Sequence, residues 1–469
     1  MKRFLLFVLS VFLFFTEGYT EPPGNTGWKA GSARVRITPQ QSMWMAGYAS
    51  RTQPAQGKLH DLWAKALFLE DAAGNSVVLV TSDIIYFPKP VSDKIRDELG
   101  KRLGLSRAQI ILNSSHTHSG PEITGNELRY SYSKYVDTLQ QTNGLYNRLS
   151  TEYSERLVSQ VVDLVVKARR NLRPARLYSR NGVVRFQVNR RSNKESGLAH
   201  TTSLEGPVDY AVPVLKVENK RGKPETIVFG YACHATVLNG LEWSGDYPGF
   251  AQAELERMYK GATAMFFQGA GADQNPLPRR SVPLARQYGK ELAAAVERVL
   301  SEEMQSLSPG LETAYSEISL AFEKSDSTAD ERLKAVVNSS GQPAYLKRNA
   351  RYVLEKLETG EQLNLTSYPY PVQVWKLGEQ LIVALGGELV SGYSIALKKI
   401  YGEETFVMGY CNDVCGYIPT AEILEEGGYE GSNPPVFPLF WSSGIEENIL
   451  KEVQRLVSET SSSSVENRR

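Results

Sequence analysis

Two histidines separated by one residue, His116 and His118, follow the apolar run Gln109–Leu112 and precede a Gly-Pro turn. The chain has only five histidines among 469 residues. On extended backbone, residues i and i+2 project to the same side, and neutral imidazole is a common zinc ligand. The pattern predicts a metal-binding or catalytic corner. The spacing alone also allows a polar strand end whose histidines only hydrogen-bond nearby carbonyls.

The wider segment Asn113–Pro121 resembles the signature of the neutral, non-lysosomal ceramidase family, zinc amidohydrolases that cleave the N-acyl bond of ceramide. Further motifs in family order extend the resemblance over nearly all of Ala33–Gly431, and such ordered agreement is more specific than any single motif. The resemblance implies an α/β fold of mixed β-sheets flanked by helices. Ceramidases continue into an immunoglobulin-like C-terminal domain. Because this sequence stops at Arg469, we expect the catalytic domain without that addition.

Strand and helix patterns place the candidate residues at strand ends. The helix predicted over Val91–Leu103 leads into a strand at Ile110, and the same strand–helix–strand order recurs three more times. Two apolar runs, Ala64–Leu69 and Ser76–Ile85, flank a turn-forming segment and predict a hairpin. Ligands and catalytic groups collect at the carboxyl ends of strands in α/β sheets, so we expect the site there.

Two further metal-ligand candidates follow such strands. His234 comes after the apolar run Thr226–Ala232, and Glu388 comes after Gln380–Leu385. Taken alone, a single buried histidine is more often a core residue than a ligand, and an acidic residue before a helix is often only a cap. Both coincide with ligand positions of the family, so the resemblance implies that they bind the metal.

The C-terminal motif Asn412–Glu422 provides the fourth candidate. It matches the family pattern Asn-x-x-x-x-Tyr-Ile-x-Thr-x-Glu, which is followed by a Tyr-Glu pair. With 24 tyrosines in the chain, the register of the whole motif is what identifies Tyr417 as a phenolate ligand and Tyr429 as a hydrogen-bond donor to the reacting centre. The resemblance therefore implies Zn2+ with one position open for water, held by four side chains: His116, His234, Glu388 and Tyr417.

Other family positions imply the catalytic residues. His118 would act as general acid/base or stabilise the oxyanion, and Asp246 would orient a ligating imidazole. The family motif Asn-Arg-Ser has one arginine that reaches the substrate pocket, whereas this chain has two, Arg190 and Arg191. Arg190 is preferred and Arg191 stays an alternative, while a solvated basic loop is the plainer explanation of such a pair.

The glycine-rich turn after Gln268 departs from the family pattern. Ceramidases have Gly-Asp-x-Ser-Pro there, and aligning Asp273 and Pro276 puts Asn275 at the serine position. The serine is usually assigned as nucleophile or as the partner of the attacked amide. An asparagine side chain can neither be deprotonated by a base nor form an acyl-enzyme. Three explanations follow: hydrolysis by zinc-activated water alone, a substrate other than ceramide, or lost activity.

The N-terminus resembles an export signal. Residues 1–20 contain a short basic head, the apolar block Phe4–Phe15 and small residues near the expected cleavage point, so we expect a signal peptide and a secreted or periplasmic protein. The 53 basic and 52 acidic residues give a net charge of +1, which does not favour nucleic-acid binding. The expected partner is a small-molecule or lipid amide. A lipid substrate would bring transient contact with a membrane surface, and the sequence does not define the oligomeric state.

Residues 28–455 are expected to form the catalytic domain and residues 456–469 a polar C-terminal tail. Within the domain, the polar span 323–342 is predicted to be an excursion or partly mobile lid without chemistry. Three cysteines cannot make a disulfide framework. Cys411 and Cys415 are as compatible with a bridge as with free buried thiols, and Cys233 is left over.

Three functions are consistent with these motifs. The first is a ceramidase-like zinc amidohydrolase, the second a zinc hydrolase of another amide or ester, and the third a non-catalytic binding protein with the same fold. Four retained ligand positions count against the third. The asparagine at position 275 separates the first two.

Overall fold

The computed structural model describes residues 27–48, 50–124, 145–324, 328–342, 344–360, 366–432 and 439–466. The predicted signal peptide lies outside these residues. Within the described ranges, no helix combines the length and the apolar character needed to cross a bilayer.

The secondary structure alternates between strands and helices. The strands are β1 (Trp28–Arg36), β2 (Gly57–Lys58), β3 (Trp63–Glu70), β4 (Ser76–Ser82), β5 (Ile110–Ser114), β6 (Arg173–Val183), β7 (Gln187–Asn189), β8 (Ala211–Asn219), β9 (Pro224–Tyr231), β10 (Glu242–Trp243), β11 (Thr263–Gln268), β12 (Gln274–Pro276), β13 (Gln305–Ser306), β14 (Leu311–Ala321), β15 (Ser367–Leu377), β16 (Gln380–Leu385), β17 (Glu388–Leu389), β18 (Phe406–Met408) and β19 (Tyr417–Ile418). The helices are α1 (Lys89–Leu103), α2 (Leu145–Arg170), α3 (Asp246–Met258), α4 (Val282–Ser301), α5 (Ala329–Asn338), α6 (Ala344–Glu358), α7 (Ser391–Tyr401), α8 (Ala421–Glu426), α9 (Gly428–Gly431) and α10 (Ile445–Glu466).

The larger sheet has nine strands in the order β11-β9-β8-β6-β1-β3-β4-β5, with β13 added beside β6. Neighbouring strands of this sheet are antiparallel except at its two edges. There, β4 pairs with β5 in parallel and β9 pairs with β11 in parallel. Parallel neighbours need a crossover connection, and here helices α1 and α3 make it. The sheet therefore carries a strand–helix–strand unit at each end.

The smaller sheet has four strands in the order β14-β15-β16-β18. Strands β15 and β16 form a hairpin that turns at Gly378, whose φ of 58° is a conformation glycine adopts readily. Strand β16 then pairs in parallel with β18, and helix α7 connects them. This is the third strand–helix–strand unit of the molecule.

The two sheets stack face to face between layers of helices. Leu67 of the larger sheet and Trp375 of the smaller one belong to the apolar cluster between the sheets. On the other face of β3, Phe68 packs with apolar residues of α1 and α2, and the outer face of the smaller sheet packs on α7 and α10. Strands covered on both faces need apolar side chains on both, which explains their nearly continuous apolar runs.

These features confirm the predicted fold class of mixed β-sheets flanked by helices. The predicted hairpin is the antiparallel pair β3–β4, in which Glu70 lies opposite Ser76. The helix predicted over Val91–Leu103 begins two residues earlier, at Lys89.

Two segments differ from their predictions. The polar span 323–342 contains helix α5, which begins with a capping box formed by Thr328 and Glu331 and packs on α6 through Leu333. Helix α10 crosses the domain boundary predicted after residue 455 and continues to Glu466, and Leu456 within it is fully buried. The segment predicted to be a polar tail therefore begins inside a packed helix.

The cysteines are free thiols. Cys233, Cys411 and Cys415 are all buried and unbridged. Of the two alternatives left by the sequence, the structure has the free thiols.

Candidate metal centre and active site

The candidate ligands meet where the three strand–helix–strand units present the carboxyl ends of their strands. His116 follows β5, His234 follows β9 and Glu388 follows β16. These residues are far apart in sequence. Their convergence therefore depends on the stacking of the two sheets.

Two asparagine side chains hold the strand ends together. The Asn113 amide accepts the N–H of Gln268 at 2.9 Å and donates to the carbonyl of Gly409 at 2.8 Å. The Asn412 side-chain oxygen accepts the N–H of Leu112 at 3.0 Å. Strands from both sheets are thereby fixed beside the segment that carries His116 and His118.

Three imidazoles and one carboxylate converge at this place. Ring nitrogens of His116, His118 and His234 lie within 4.8 Å of one another. Nε2 of His116 is 3.2 Å from Nε2 of His118 and 3.4 Å from Oε2 of Glu388, which is also 3.5 Å from Nε2 of His234. We refer to these four residues as the histidine cluster.

Backbone carbonyls decide which nitrogen faces the cluster. Nδ1 of His116 lies 2.8 Å from the carbonyl of Ile85, and Nδ1 of His234 lies 2.8 Å from that of Gly271. Because a carbonyl only accepts, each Nδ1 carries the proton and each Nε2 presents a lone pair inward. Nε2 of His234 and Oε2 of Glu388 are buried without a hydrogen-bond partner in the described part of the chain. A shared cation would satisfy these acceptors, so the residues fit a metal ion.

The spacing also suits tetrahedral zinc. Two ligand atoms each about 2.05 Å from a tetrahedral ion stand about 3.3 Å apart, and the separations from Nε2 of His116 are 3.2 Å and 3.4 Å. By distance alone, His118 is placed as well for ligation as Glu388.

Burial shapes the electrostatics of the cluster. It lowers the pKa of His234 to about 4, with Arg190 acting in the same direction, and lowers the pKa of His118 well below its ordinary value. Burial alone would raise the pKa of Glu388, but His116 and His234 outweigh it and hold that pKa well below its usual range. That effect requires protonated imidazoles, which conflicts with a neutral His234. We favour neutral imidazoles because burial disfavours their charged form, and a bound cation would then keep the carboxylate ionised.

Backbone strain concentrates around the cluster. The structure describes five non-glycine residues with positive φ, and four of them lie here: His116 at 56°, Asp246 at 56°, Tyr410 at 54° and Asn412 at 62°. Such conformations cost of order 1–3 kcal/mol each and persist where the surroundings fix them, often at functional sites.

The loop around Gly47 covers His118. A Cβ on Gly47, whose φ is 97°, would lie 2.4 Å from the His118 ring. The Tyr48 ring lies 4.8 Å from the same imidazole, and Arg51 donates to the His118 carbonyl at 2.7 Å. The close approach of imidazole and loop therefore requires glycine at position 47.

Arg190 faces the candidate active site. Its guanidinium donates to Oε1 of Glu430 at 2.7 Å, to the hydroxyl of Tyr417 at 3.2 Å and to Oδ1 of Asn275 at 3.4 Å. It also lies over the Tyr429 ring, 5.4 Å from its centroid. This one cation contacts three of the positions singled out in the sequence.

Arg191 points elsewhere. It donates to the carbonyl of Gly427, to Oε2 of Glu430 at 2.9 Å and to Glu426 at 2.7 Å. These contacts fasten the end of α8 and the start of α9, the short helix that carries Tyr429. The geometry therefore distinguishes the two arginines, and Arg190 is the one beside Tyr417.

Tyr417 lies next to Glu388, because β17 and β19 pair in parallel with these two residues in register. Its ring is 5.4 Å from that of Tyr429, which is 61% exposed. The predicted ligand and the predicted hydrogen-bond donor are therefore neighbours, one buried and one at the surface.

Asn275 is nearly buried on β12, opposite Val188 of β7. The turn before it is held by Asp273, whose carboxylate accepts from the N–H and the hydroxyl of Ser391. The side chain of Asn275 therefore occupies a fixed position against Arg190.

Asp246 does not orient His234. Its carboxylate accepts backbone N–H groups from Val237–Leu238 and from Tyr247, and burial raises its pKa to about 6. The carbonyl of Gly271 holds the His234 ring instead. The predicted role is therefore wrong, and this carboxylate organises the loop that follows His234.

The sequence patterns missed Tyr410. Its ring centroid lies 4.5 Å from that of His116 and 6.4 Å from that of His234. The side chain is 1% exposed, and its hydroxyl has no hydrogen-bond partner among the described residues. Burial, and secondarily Glu388, raise its pKa well above the ordinary value. The only sequence signal was its position just before the motif that begins at Asn412.

The α/β sandwich thus brings buried imidazoles and a carboxylate together at its strand ends, and these side chains could hold a metal ion. A sequence profile described as neutral/alkaline non-lysosomal ceramidase, N-terminal, matches residues 28–295, more than half of the chain. The chain therefore belongs to this family, and the predicted resemblance is confirmed.

Individual relatives agree with this assignment. The chain is 25% identical to the neutral ceramidase of Pseudomonas aeruginosa over 264 residues, 53% of this chain and 37% of that protein. It is 25% identical to neutral ceramidase B of Dictyostelium discoideum over 251 residues, 51% of this chain and 33% of that protein. These matches span only about a third of each relative's length.

The crystal structure of the Pseudomonas aeruginosa neutral ceramidase has the same fold. It superposes with a TM-score of 0.69 at 20% identity, covering 92% of this chain and 74% of that one. The agreement covers a larger share of the chain than the residues matched by the family profile.

Proposed function

We propose that this protein is a secreted, zinc-dependent amidohydrolase that cleaves an N-acyl amide bond, as in ceramide or a related lipid amide. The observation that carries the proposal is the convergence of two carbonyl-oriented imidazoles, His116 and His234, on the buried carboxylate of Glu388. Two histidines and one glutamate are a common ligand set of catalytic zinc.

The metal would be held by His116, His234, Glu388 and Tyr417. The pairing of β17 with β19 supports the inclusion of Tyr417, because it sets this residue beside Glu388. When bound, the metal would supply Lewis acidity toward a carbonyl and lower the pKa of a water molecule.

His118 is proposed to move the proton. Its lowered pKa leaves the imidazole neutral near pH 7, so it can accept a proton. The loop at Gly47 packs against the ring and limits its orientation. In this role His118 would take a proton from the attacking water and deliver it to the leaving amine.

Arg190 and Tyr429 are proposed to stabilise the charge that develops on the amide oxygen. Glu430, only 2% exposed at its side chain, fixes the Arg190 guanidinium from one side. A donor held in this way needs little reorganisation as charge develops, which is the property that makes such groups effective.

Asn275 leaves the chain without a nucleophile at the position of the family's serine. We therefore propose direct attack by water, with no acyl-enzyme. The same observation favours a second candidate function, in which the fold hydrolyses a non-ceramide amide or an ester. A purely binding protein is disfavoured, because all four proposed ligand positions are retained.

The proposal is tested by measuring hydrolysis before and after zinc is restored. A chelator first removes metal from the protein, and zinc is then added back. N-acyl amides and matching esters would be incubated with the metal-free and the reloaded protein. We expect turnover only after zinc is restored, and no turnover by His234→Ala. His200→Ala is the matched control, since His200 is exposed on the surface. Equal turnover by metal-free protein would contradict the proposal.

Mass spectrometry of the protein during turnover of a slow substrate tests the direct-water step. No acylated peptide is expected, and Asn275→Ser should not be needed for activity. An acyl adduct on any residue would overturn this step while leaving the metal centre intact.

A further inference from the structure

A cavity of about 1500 Å³ opens beside Arg190, Asn275 and Tyr429. Pockets for small molecules usually measure about 300–1,000 Å³, so this cavity has room for a substrate larger than the scissile amide alone. Because it reaches three residues assigned to the reacting centre, it is where an arm of the substrate would lie. We refer to it as the charged cavity.

The walls of the charged cavity are rich in charged side chains, although apolar atoms make up slightly more than half of the lining surface. Ten of its twenty-four lining residues are charged, and the aliphatic side chains among them are few: Pro207, Leu277, Ile395 and Ile423. The charged side chains include ion pairs, such as Arg191 with Glu426 at 2.7 Å and Arg279 with Glu195 at 2.9 Å. Nearly half of the lining surface therefore belongs to groups that need water or hydrogen-bonding partners, a larger share than in the mostly apolar pockets that usually bind small molecules.

Carboxylates outnumber cations in this wall by six to four. Glu422 of α8 is exposed, and within the described ranges it takes part in no ion pair. The cavity thus has spare acceptor capacity, which hydroxyl or ammonium groups of a ligand would fill.

A long alkyl chain does not suit such walls. An apolar chain gains about 25 cal/mol for each Å² that it removes from water, but only against apolar surface. Laid against arginine–glutamate pairs, it would displace water without replacing the lost hydrogen bonds, which costs free energy. The cavity therefore favours an arm that can hydrogen-bond to its charged side chains over a purely hydrocarbon arm.

We infer that the substrate is a hydrophilic N-acylated amine, whose arm in the charged cavity carries hydroxyl or ammonium donors rather than a long alkyl chain. This inference rests on the proposed function and narrows its substrate class. Asn275 lines the same cavity, where its side-chain oxygen accepts from Arg190.

Competition between two amides in the same detergent micelles tests the inference. N-hexanoylglucosamine presents a hydroxylated amine with a short acyl chain, and N-palmitoylsphingosine presents two long hydrocarbon arms. We expect kcat/KM for the first to exceed that for the second by about tenfold or more, the factor that corresponds to one lost polar contact. Faster hydrolysis of N-palmitoylsphingosine would overturn the inference and leave the proposed amidohydrolase intact. Hydrolysis of neither amide would contradict the proposed function itself.

Two variants of helix α8 test whether the cavity is responsible for this substrate preference. Glu422→Leu replaces an exposed carboxylate of the cavity wall, whereas Glu425→Leu makes the same change on α8 at an exposed residue outside the wall. The preference for N-hexanoylglucosamine should fall about tenfold in Glu422→Leu and stay unchanged in Glu425→Leu. Equal preferences in the two variants would contradict a role for the cavity in selecting the substrate.

Discussion

The histidine cluster and the charged cavity are neighbouring regions that obtain their polar character in different ways. In the cluster, the imidazoles of His116 and His234 are buried and oriented by main-chain carbonyls. In the cavity, side chains such as Arg191 and Glu426 orient one another at a partly exposed surface. Arg190 links the regions, since it lines the cavity and hydrogen-bonds Tyr417 beside Glu388.

This difference indicates which part of the site tolerates change. The geometry of the cluster depends on the backbone conformation at three strand ends, so a substitution there removes a ligand or strains the fold. The cavity also contains partly exposed ion pairs, such as Arg191–Glu426, and surface pairs of this kind contribute only about 0–1 kcal/mol to stability. Substitutions in the cavity should therefore alter substrate choice while the metal centre stays intact.

The largest effect is expected from Glu388→Gln. The change preserves shape but removes the only carboxylate of the histidine cluster, so bound zinc should be lost and turnover should fall by about 10³-fold or more. Metal content and kcat would be measured on the same preparation. Glu425→Gln on the exposed face of α8 is the control. Retention of stoichiometric zinc by Glu388→Gln would remove this residue from the ligand set.

Comparison of His116→Ala with His118→Ala separates ligand from proton carrier. We expect His116→Ala to lose zinc, and His118→Ala to keep zinc while turnover falls by roughly 10²- to 10⁴-fold. The test matters because Nε2 of His118 is only 3.2 Å from Nε2 of His116. Equal loss of zinc would show that both imidazoles bind the metal and that the assigned roles are wrong.

Lysine substitutions at the two arginines compare Arg190, which contacts Tyr417 beside the histidine cluster, with Arg191, which pairs with Glu426 in the cavity wall. Arg190→Lys keeps the charge but loses the planar contacts to Glu430 and Tyr417, and turnover should fall by about 10²-fold. Arg191→Lys should mainly loosen the segment that carries Tyr429 and cost about tenfold or less. Steady-state kinetics with zinc-loaded protein provides the measurement. A larger loss of turnover in Arg191→Lys than in Arg190→Lys would show that Arg191, and not Arg190, is the arginine that acts in the active site.

The smallest effect is expected from Tyr410→Phe. Removing this hydroxyl retains the ring against His116, so zinc affinity should weaken by about tenfold at most, as for groups that surround a ligand without binding the metal. Competition with a zinc chelator would measure the affinity. Tyr393→Phe, which removes a buried hydroxyl bonded to the Pro419 carbonyl, is the control. A total loss of zinc in Tyr410→Phe would mean that Tyr410 is itself a ligand.

The sequence allowed the strand ends to be predicted, because each apolar run is followed directly by a polar motif. The hydrophobic periodicity of the sequence did not indicate that His116, His234 and Glu388 lie together, because their proximity depends on how the two sheets stack. Only the register of the family motifs placed them together. The mistaken role of Asp246 has a related cause: the group that holds His234 is the carbonyl of Gly271, and backbone groups leave no trace in a sequence pattern.

Helix α5 and Tyr410 differ in what the sequence shows of them. The Thr-x-x-Glu pattern at Thr328 and Glu331 is a capping box that could have predicted helix α5. The contact of Tyr410 with His116 depends on a positive φ of 54°, a conformation that a tyrosine rarely adopts and that its sequence neighbours do not indicate.

Anomalous diffraction from crystals grown with zinc tests the central claim most directly. Data collected on both sides of the zinc absorption edge would locate the metal independently of activity. We predict one zinc peak among Nε2 of His116, Nε2 of His234 and Oε2 of Glu388, about 2.0–2.2 Å from each. The absence of a peak at this place in zinc-replete crystals, or a peak that these three atoms do not share, would contradict the account.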